Sequence, residues 1–284
     1  KSSTRPTDGN NLLQLLLTHA VGQPDSKVFA TELTKSNHTD GATHLLSAND
    51  PFAIIKGDAN HAQATVVFTD ELTLLQGLPH LYDLRNLPIV VNVALQVGDY
   101  SVIAALKDLD IISLVSNDAQ TAFNNTQLAI NTTKESGKAV FNFINTRYIS
   151  NVPSSIDANN GDADIESAPR FTIARESSDS ATSAVINLSS YYKSFADNLP
   201  KNVALIDINI YRPWSIDQLL ELIPKAVTRI VIVEGAIRET ASESTTVFEP
   251  LLLDFFSDFN KLVERNIEQL VLTKVGRLPE ESIG

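Results

Sequence analysis

The chain has 284 residues, of which 43% are hydrophobic and 20% charged, and its formal net charge is −12. This length and apolar content predict one large domain or two smaller ones with real cores. An acidic surface repels phosphate backbones, so we expect no nucleic-acid partner. The sequence contains no cysteine. That excludes disulfides, thiolate zinc sites, cysteine-ligated iron–sulfur clusters and cysteine nucleophiles within this chain.

Membrane insertion is not expected either. No run of about 18 apolar residues occurs, and the apolar segment 12–17 is too short to span a bilayer. That segment also lacks the basic lead and small-residue cleavage site of a secretory signal. We therefore expect a cytoplasmic protein.

The first half predicts an α/β pattern after a helical extension. A leucine-rich helix is expected over 11–21, a strand over 27–34, a short apolar segment over 43–47 and a helix from 51 through 55. Regular alternation then follows, with strands at 64–68, 87–95, 111–115 and 139–144. Between them we expect a helix after Thr69 or Asp70 that stops at Pro79, and helices over 99–107 and 118–131. Strands separated by helices indicate a parallel sheet.

The second half is separated from the first by a segment rich in Ser, Asp, Asn and Ala. We expect a linker there, within which residues 171–174 could form a short strand. After it we expect strands at 184–188, 203–211, 227–233 and 268–273, and helices at 191–198, 216–223 and 248–265. The predicted domains are a helical extension (1–26), an α/β domain (27–150), the linker (151–183) and a second α/β domain (184–284). The fold class is α/β, with two doubly wound, mostly parallel sheets.

The region 203–233 carries the clearest single unit. A β-branched strand ends at Arg212-Pro213-Trp214, where proline cannot extend a ladder. Ser215 can cap the helix that follows, whose apolar positions share one face, and a second buried strand comes next. This is one βαβ unit.

Few residues of the sequence indicate a catalytic, metal-binding or ligand-binding site. The five histidines show no two-ligand spacing, and no glycine-rich phosphate loop or nucleophile elbow is present. Asp70 follows a strand at the edge where α/β folds bind ligands, although an acidic residue there also suits a helix N-terminus. Arg212 ends a strand and could bind an anion or form an ordinary ion pair. Trp214 is typical of a core or interface anchor, and we keep it as a candidate interface residue.

Three stretches resemble pyruvate:ferredoxin oxidoreductases. ATVVFTDELTLLQGLPHLYDL and LPIVVNVAL are similar to their pyrimidine-binding domain, and the Tyr-Arg-Pro-Trp strand end with its helix is similar to their transketolase-C-like domain. The resemblance implies a thiamine diphosphate fold. It also implies a catalytic glutamate about twenty residues before Phe68, where this chain offers only Asp50. A residual thiamine diphosphate or small-ligand site around Asp50, Thr69, Asp70 and Arg212 is therefore one hypothesis.

A closer resemblance is to the N-terminal region of fungal assimilatory sulfite reductase beta (hemoprotein) subunits. It rests on ATHLL, VVFTDELTLL, HLYDLRNLP, DYSVIAALKDL, IYRPW and LLLDFFSDFNKLVERNIEQLVLT. The resemblance implies a parent enzyme that reduces sulfite to sulfide with siroheme, an iron–sulfur cluster, FAD, FMN and NADPH. Without cysteine this chain cannot carry that cluster. We therefore expect no cofactor, metal or catalytic residue here. We expect an assembly role toward the rest of the beta subunit, the flavoprotein alpha subunit or a second copy.

Overall fold

The elements follow the alternation expected from the sequence. The computed structural model describes residues 9–31, 43–46, 51–59, 63–95, 101–149, 164–175, 177–188, 199–235 and 250–275. The helices are α1 (Gly9–Val21), α2 (Pro51–Ala59), α3 (Glu71–Gln76), α4 (Leu78–Leu84), α5 (Ser101–Leu106), α6 (Ala119–Ser136), α7 (Thr146–Ile149), α8 (Ile216–Leu222), α9 (Pro250–Ser257) and α10 (Phe259–Glu264). The strands are β1 (Ser26–Thr31), β2 (Thr43–Leu46), β3 (Ala64–Asp70), β4 (Ile89–Ala94), β5 (Ile112–Ser116), β6 (Val140–Ile144), β7 (Phe171–Arg175), β8 (Ser183–Leu188), β9 (Val203–Ile208), β10 (Ile210–Arg212), β11 (Arg229–Gly235) and β12 (Gln269–Val275).

The chain forms two compact units. The first comprises residues 1–96, 105–168 and 210–213, and the second comprises 97–104, 169–209 and 214–284. Each unit contains one mostly parallel sheet with flanking helices, so the α/β fold class is confirmed. No helix in the described ranges is both long enough and apolar enough to cross a membrane.

The first unit is built on a seven-stranded sheet in the order β10-β5-β6-β4-β3-β1-β2. All neighbours are parallel except β10, which pairs antiparallel with β5 at the edge. Every residue of β3, β4 and β6 is buried, as expected for strands covered on both faces. One face packs against α1 and α6, with a core that includes Leu16, Phe68, Phe123 and Ile144.

The second unit contains a five-stranded sheet in the order β12-β11-β8-β9-β7. Its neighbours are parallel except β7, which runs antiparallel to β9. The short strand predicted at 171–174 is therefore confirmed as β7. Ser215 caps α8 by accepting a hydrogen bond from the Gln218 backbone N–H at 3.4 Å, which agrees with the helix start predicted there.

Three predicted elements are interrupted. The strand predicted over 203–211 is divided between β9 in one sheet and β10 in the other. The division falls at Asn209, whose backbone N–H donates to the Arg170 carbonyl at 2.8 Å, whereas the pairing of β9 with β8 extends only to Asp207. The helix predicted over 248–265 breaks at Asp258 into α9 and α10. The helix predicted over 191–198 lies outside the described residues.

The third interrupted element is the helix predicted to follow Thr69 or Asp70. The helix expected to stop at Pro79 instead ends at Gln76, and Pro79 occupies the second position of α4, where its missing N–H costs nothing. The break lies at Gly77, where a Cβ would come within 2.1 Å of the Phe52 ring. Packing against α2 therefore requires glycine at this position.

Candidate functional site

The predicted ligand residues Thr69 and Asp70 form the end of β3, where the chain enters α3. Asp70 is buried, and its carboxylate accepts hydrogen bonds from the backbone N–H groups of Leu72 and Thr73, each at 3.0 Å, and from the Thr73 hydroxyl at 2.7 Å. These contacts satisfy two of the helix's unpaired donors and place a carboxylate at the positive end of α3. The Asp70 side chain is therefore committed to starting a helix.

Thr69 lies one residue earlier, and its side chain points to the opposite face of the sheet from that of Asp70. Its hydroxyl is fully buried and has no hydrogen-bond partner among the described residues, as is also true of Thr65 on the same face. Asp50, the fourth member of the predicted set, lies outside the described residues.

Arg212 ends β10, at the edge of the first unit's sheet. Its guanidinium lies 4.2 Å from the ring centroid of Tyr211 and donates to the Tyr211 carbonyl at 3.2 Å. Four inter-strand steps separate β10 from β3 in the sheet order, which corresponds to about 19 Å. Arg212 is therefore not brought together with Thr69 and Asp70.

Trp214 belongs to the second unit, where it anchors an aromatic cluster. Its ring meets Phe171 at 5.6 Å and Phe255 at 5.4 Å between centroids, both edge-on, which is a favoured geometry for aromatic pairs. The indole N–H donates to Asp258 at 3.2 Å. Trp214 thus ties β7 to the helices α9 and α10, and its predicted role at an interface stays a prediction.

Sequence reasoning missed a buried polar network between the central strands and α6. Asn142 on β6 donates to Asn92 on β4 at 3.0 Å and accepts from Ser116 on β5 at 2.7 Å. Thr126 of α6 donates to the same Asn92 oxygen at 3.0 Å, and Asn125 donates to Ser116 at 3.0 Å. We name this group the Asn92–Asn142 network. One feature of the sequence could have indicated this network: an asparagine lies in the middle of each of two apolar strands, where this residue is disfavoured.

The Asn92–Asn142 network is enclosed, since Asn92, Ser116, Thr126 and Asn142 are all fully buried. Buried polar groups are costly unless they are paired, and here they mostly pair with one another. The arrangement fixes the register of three strands and the position of α6. Among the described residues, the amide nitrogen of Asn92 is left without a hydrogen-bond partner.

The second unit contains an open cleft of about 440 Å³ beside β7, β9 and the end of α8. Most of its lining is aliphatic, and the charged lining residues are Asp179, Glu221 and Lys225. The lining residues are Ile173, Ser177, Asp179, Ala204, Ile206, Glu221, Leu222, Ile223, Pro224 and Lys225. Nothing in this lining resembles a nucleophile–base pair.

The titratable groups with perturbed pKa values lie on the surface. The hydrogen bond from Lys56 lowers the pKa of Asp83, and the hydrogen bond to Asp217 raises the pKa of Lys261. Within the described ranges, no three histidine, aspartate or glutamate side chains are grouped so that they could hold a metal ion.

Comparison with known proteins supports the second resemblance. No family model matches the chain. The chain is similar to sulfite reductase [NADPH] subunit beta of Saccharomyces cerevisiae. The identity is 38% over an alignment of 291 positions, and the alignment covers 94% of this chain. The match covers 20% of that relative, so the chain spans about one fifth of its length. The predicted similarity to sulfite reductase beta subunits is therefore confirmed.

Proposed function

We propose that this chain is a non-catalytic assembly region of an NADPH-dependent sulfite reductase beta subunit, the hemoprotein component of a cytoplasmic enzyme that reduces sulfite to sulfide. The 38% identity to the yeast beta subunit carries this proposal. Its partners are the remainder of the beta subunit and the flavoprotein alpha subunit, with self-association as a further possibility.

The non-catalytic part of the proposal rests on how the polar side chains at the carboxyl edge are used. Ligands of α/β folds bind where parallel strands end. In the first unit, Asp70 caps α3 there. Further inside the sheet, the Asn92–Asn142 network joins β4, β5 and β6 to α6. Side chains committed in this way hold the sheet and its helices together and are not available to a substrate.

The cofactors of a sulfite reductase do not fit the residues of this chain. An iron–sulfur cluster needs thiolate ligands, and the sequence has no cysteine. NADPH, FAD and FMN bind where backbone N–H groups cradle phosphate, usually at a glycine-rich strand-to-helix turn, and no such motif occurs. We therefore assign siroheme, the cluster, the flavins and NADPH to other parts of the holoenzyme.

The alternative function is residual binding of thiamine diphosphate or another small ligand. It would require Asp50, Thr69, Asp70 and Arg212 to act together. Of these, Arg212 lies four strands from β3, and the Asp70 carboxylate already accepts three hydrogen bonds. No contact among the described residues favours this alternative over assembly.

Deletion of this region from the complete beta subunit tests the proposal. The truncated and complete subunits would each be co-expressed with the flavoprotein subunit. Complex formation would be measured by sedimentation velocity, siroheme content by absorbance, and sulfite-dependent NADPH oxidation by rate. We expect the truncated subunit to lose complex formation, and with it NADPH-driven turnover.

The readouts separate assembly from catalysis. We also expect the truncated subunit to retain siroheme and to reduce sulfite with an artificial electron donor, because no residue of this region would touch the reacting atoms. Unchanged assembly and unchanged NADPH-driven turnover after deletion would refute the proposal. Loss of artificial-donor activity with siroheme still bound would indicate a catalytic role instead.

A further inference from the structure

The cleft of the second unit has a continuous aliphatic floor. Ile173 of β7 lies opposite Ile206 of β9 in the register of the two strands, and Ala204 lies two residues before Ile206. Residues that are opposite or two apart share one face of a sheet, so these three side chains form one surface. Ala204 and Ile206 are buried, whereas Ile173 is 42% exposed. The floor therefore presents an aliphatic side chain that an occupant of the cleft could cover.

One wall of the cleft is the end of α8. The helix ends at Leu222, and Ile223 follows in an extended conformation with φ −74° and ψ 131°. Arg265 holds this turn, because its guanidinium donates to the carbonyls of Ile223 and Lys225, each at 3.0 Å. Hydrogen bonds from a charged donor are strong, so this wall is preformed.

A second arginine braces the strands beneath the floor. Arg175 of β7 donates three hydrogen bonds to backbone carbonyls at the start of β9. The acceptors are Leu199, Pro200 and Val203, at 2.7, 2.6 and 3.2 Å. Small-molecule sites are usually largely preformed and have volumes of about 300–1,000 Å³, and this cleft of about 440 Å³ has both properties.

Charged side chains of both signs border the floor without pairing. Asp179, Glu221 and Lys225 line the cleft, and none of them forms an ion pair within the described part of the chain. Glu221 and Lys225 are four residues apart, a spacing that favours pairing on a helix, but α8 ends between them at Leu222. Two negative charges and one positive charge thus surround one aliphatic surface.

These features together indicate a ligand with three parts. An aliphatic group suits Ile173, a cationic group suits the two carboxylates, and an anionic group suits the Lys225 ammonium. A purely apolar ligand would desolvate charged groups without pairing them, which is unfavourable. A ligand with a single charge would meet at least one like charge. A zwitterion with an aliphatic body meets neither objection.

We propose that the cleft is a binding site for a free aliphatic amino acid. The ligand's side chain lies on Ile173, its ammonium faces Asp179 and Glu221, and its carboxylate faces Lys225. The hydroxyl of Ser177, which also lines the cleft, can donate to the same carboxylate. The inference is independent of the proposed function, because every residue it uses belongs to the second unit of this chain.

Calorimetric titration of the complete beta subunit with L-leucine tests the inference. We expect saturable binding, and three analogues that each lack one part of leucine should bind at least about fivefold more weakly. Glycine lacks the aliphatic side chain, isoamylamine lacks the carboxylate, and isocaproate lacks the ammonium. Absence of binding at millimolar leucine would refute the inference. Equal affinity for leucine and isoamylamine would also overturn it, and would indicate a site for cations alone.

A pair of double variants tests whether the binding occurs in the cleft. Asp179→Asn with Lys225→Gln should weaken leucine binding by about tenfold, because both charged contacts are lost. Glu135→Gln with Lys138→Gln, at exposed positions in the first unit, is the matched control and should bind as the unmodified subunit does. All four side chains are exposed, so neither pair should prevent folding. Equal affinity of the two double variants would contradict the inference.

Hydrogen–deuterium exchange provides a readout that does not depend on heat. Leucine should slow the exchange of residues 171–175 and 219–227 in the complete subunit. Residues 78–84 of α4 are the control segment and should exchange at an unchanged rate. Protection that falls elsewhere and spares 171–175 and 219–227 would place the leucine site outside the cleft and would overturn the proposal.

Discussion

The amide nitrogen of Asn142 donates to the side-chain oxygen of Asn92 at 3.0 Å, and this contact joins two neighbouring strands inside the core of the first unit. Both asparagines are fully buried. The pair also accepts hydrogen bonds from Ser116 and Thr126, so it links three strands with α6. A polar contact of this kind stabilises one register of the sheet over others, because any shift would leave buried polar groups unpaired.

Replacement of Asn142 tests this account. Asn142→Ala should lower the free energy of unfolding by about 1–3 kcal/mol, because the buried groups of Ser116 and Asn92 lose their partner. Urea unfolding followed by circular dichroism measures the change. The double variant Asn92→Val with Asn142→Val should lose less free energy of unfolding than the sum of the losses in the single variants Asn92→Val and Asn142→Val. A strictly additive double variant would contradict coupling between the two side chains.

Replacement of Asp70, which caps α3, should reduce the stability of the fold by less than replacement of Asn142. Asp70→Ala should reduce the free energy of unfolding by about 0.5–2 kcal/mol, since two backbone N–H groups of α3 lose their acceptor. Asp70→Ser keeps an acceptor and should retain most of the stability. Asp118→Ala removes the equivalent cap of α6 and is the matched control, with a loss of similar size. If Asp70→Ala is as stable as the unmodified chain, the capping role is wrong.

Two contributions of Trp214 to the stability of the second unit, ring packing and the indole hydrogen bond, can be measured separately. Trp214→Ala should destabilise the chain by about 3 kcal/mol, because the contacts with Phe171 and Phe255 are lost. Trp214→Phe keeps one six-membered aromatic ring and loses the five-membered ring with its hydrogen bond to Asp258, so its cost should be smaller than that of Trp214→Ala but at least the cost of the hydrogen bond, about 1 kcal/mol. Thermal and chemical unfolding of both variants give the comparison. Equal losses would mean that ring packing contributes nothing beyond the indole N–H.

The contact between Lys56 and Asp83 predicts a pH dependence. The Lys56 ammonium lies 2.5 Å from Asp83 and holds the pKa of that carboxyl below its ordinary value of 3.8. A lowered pKa in the folded state gives a stability contribution that is present above pH 3.8 and is lost as the pH falls through the folded-state pKa. Nuclear magnetic resonance titration should show the pKa of Asp83 rising in Lys56→Gln. A high salt concentration should have the same effect because both side chains are exposed.

Thiamine diphosphate provides the test of the alternative function. We expect calorimetric titration with magnesium and thiamine diphosphate to give no heat of binding. The Asp70 carboxylate is occupied by its helix, and Arg212 lies at the far edge of the sheet order. Heat that disappears in Asp50→Ala would restore the ligand site and would make this chain half of a composite active centre.

Local patterns were sufficient for most of the elements and several of their ends. Ser215 starts α8 as predicted, and Asp70 starts α3 as one of the two residues expected to do so. Capping depends on a side chain and an N–H two or three residues away, so the sequence carries the whole signal. The alternation of apolar strands and helices likewise predicted a parallel α/β fold, because strands buried on both faces must be apolar throughout.

Non-local contacts decided the rest. The β-branched run from Val203 to Tyr211 is a uniform strand signal, yet its last part pairs with β5 of the other sheet. Gly77 is required where it stands because the ring of Phe52, distant in sequence, occupies the space of a Cβ. The commitment of Asn92 to Asn142 could not be read from two isolated asparagines, since their strands are separated by β5 and α6 in the chain.

By itself the sequence determined which segments are helix and strand, that the chain has no thiolate ligands, and which family it resembles. These properties follow from composition and from interactions between residues a few positions apart. Only the tertiary structure decided which strands are neighbours, which polar side chains are consumed in the core, and which side chains line the cleft beside β7, β9 and α8. These properties depend on pairing and packing between distant residues, whose free energies appear only when the chain has folded.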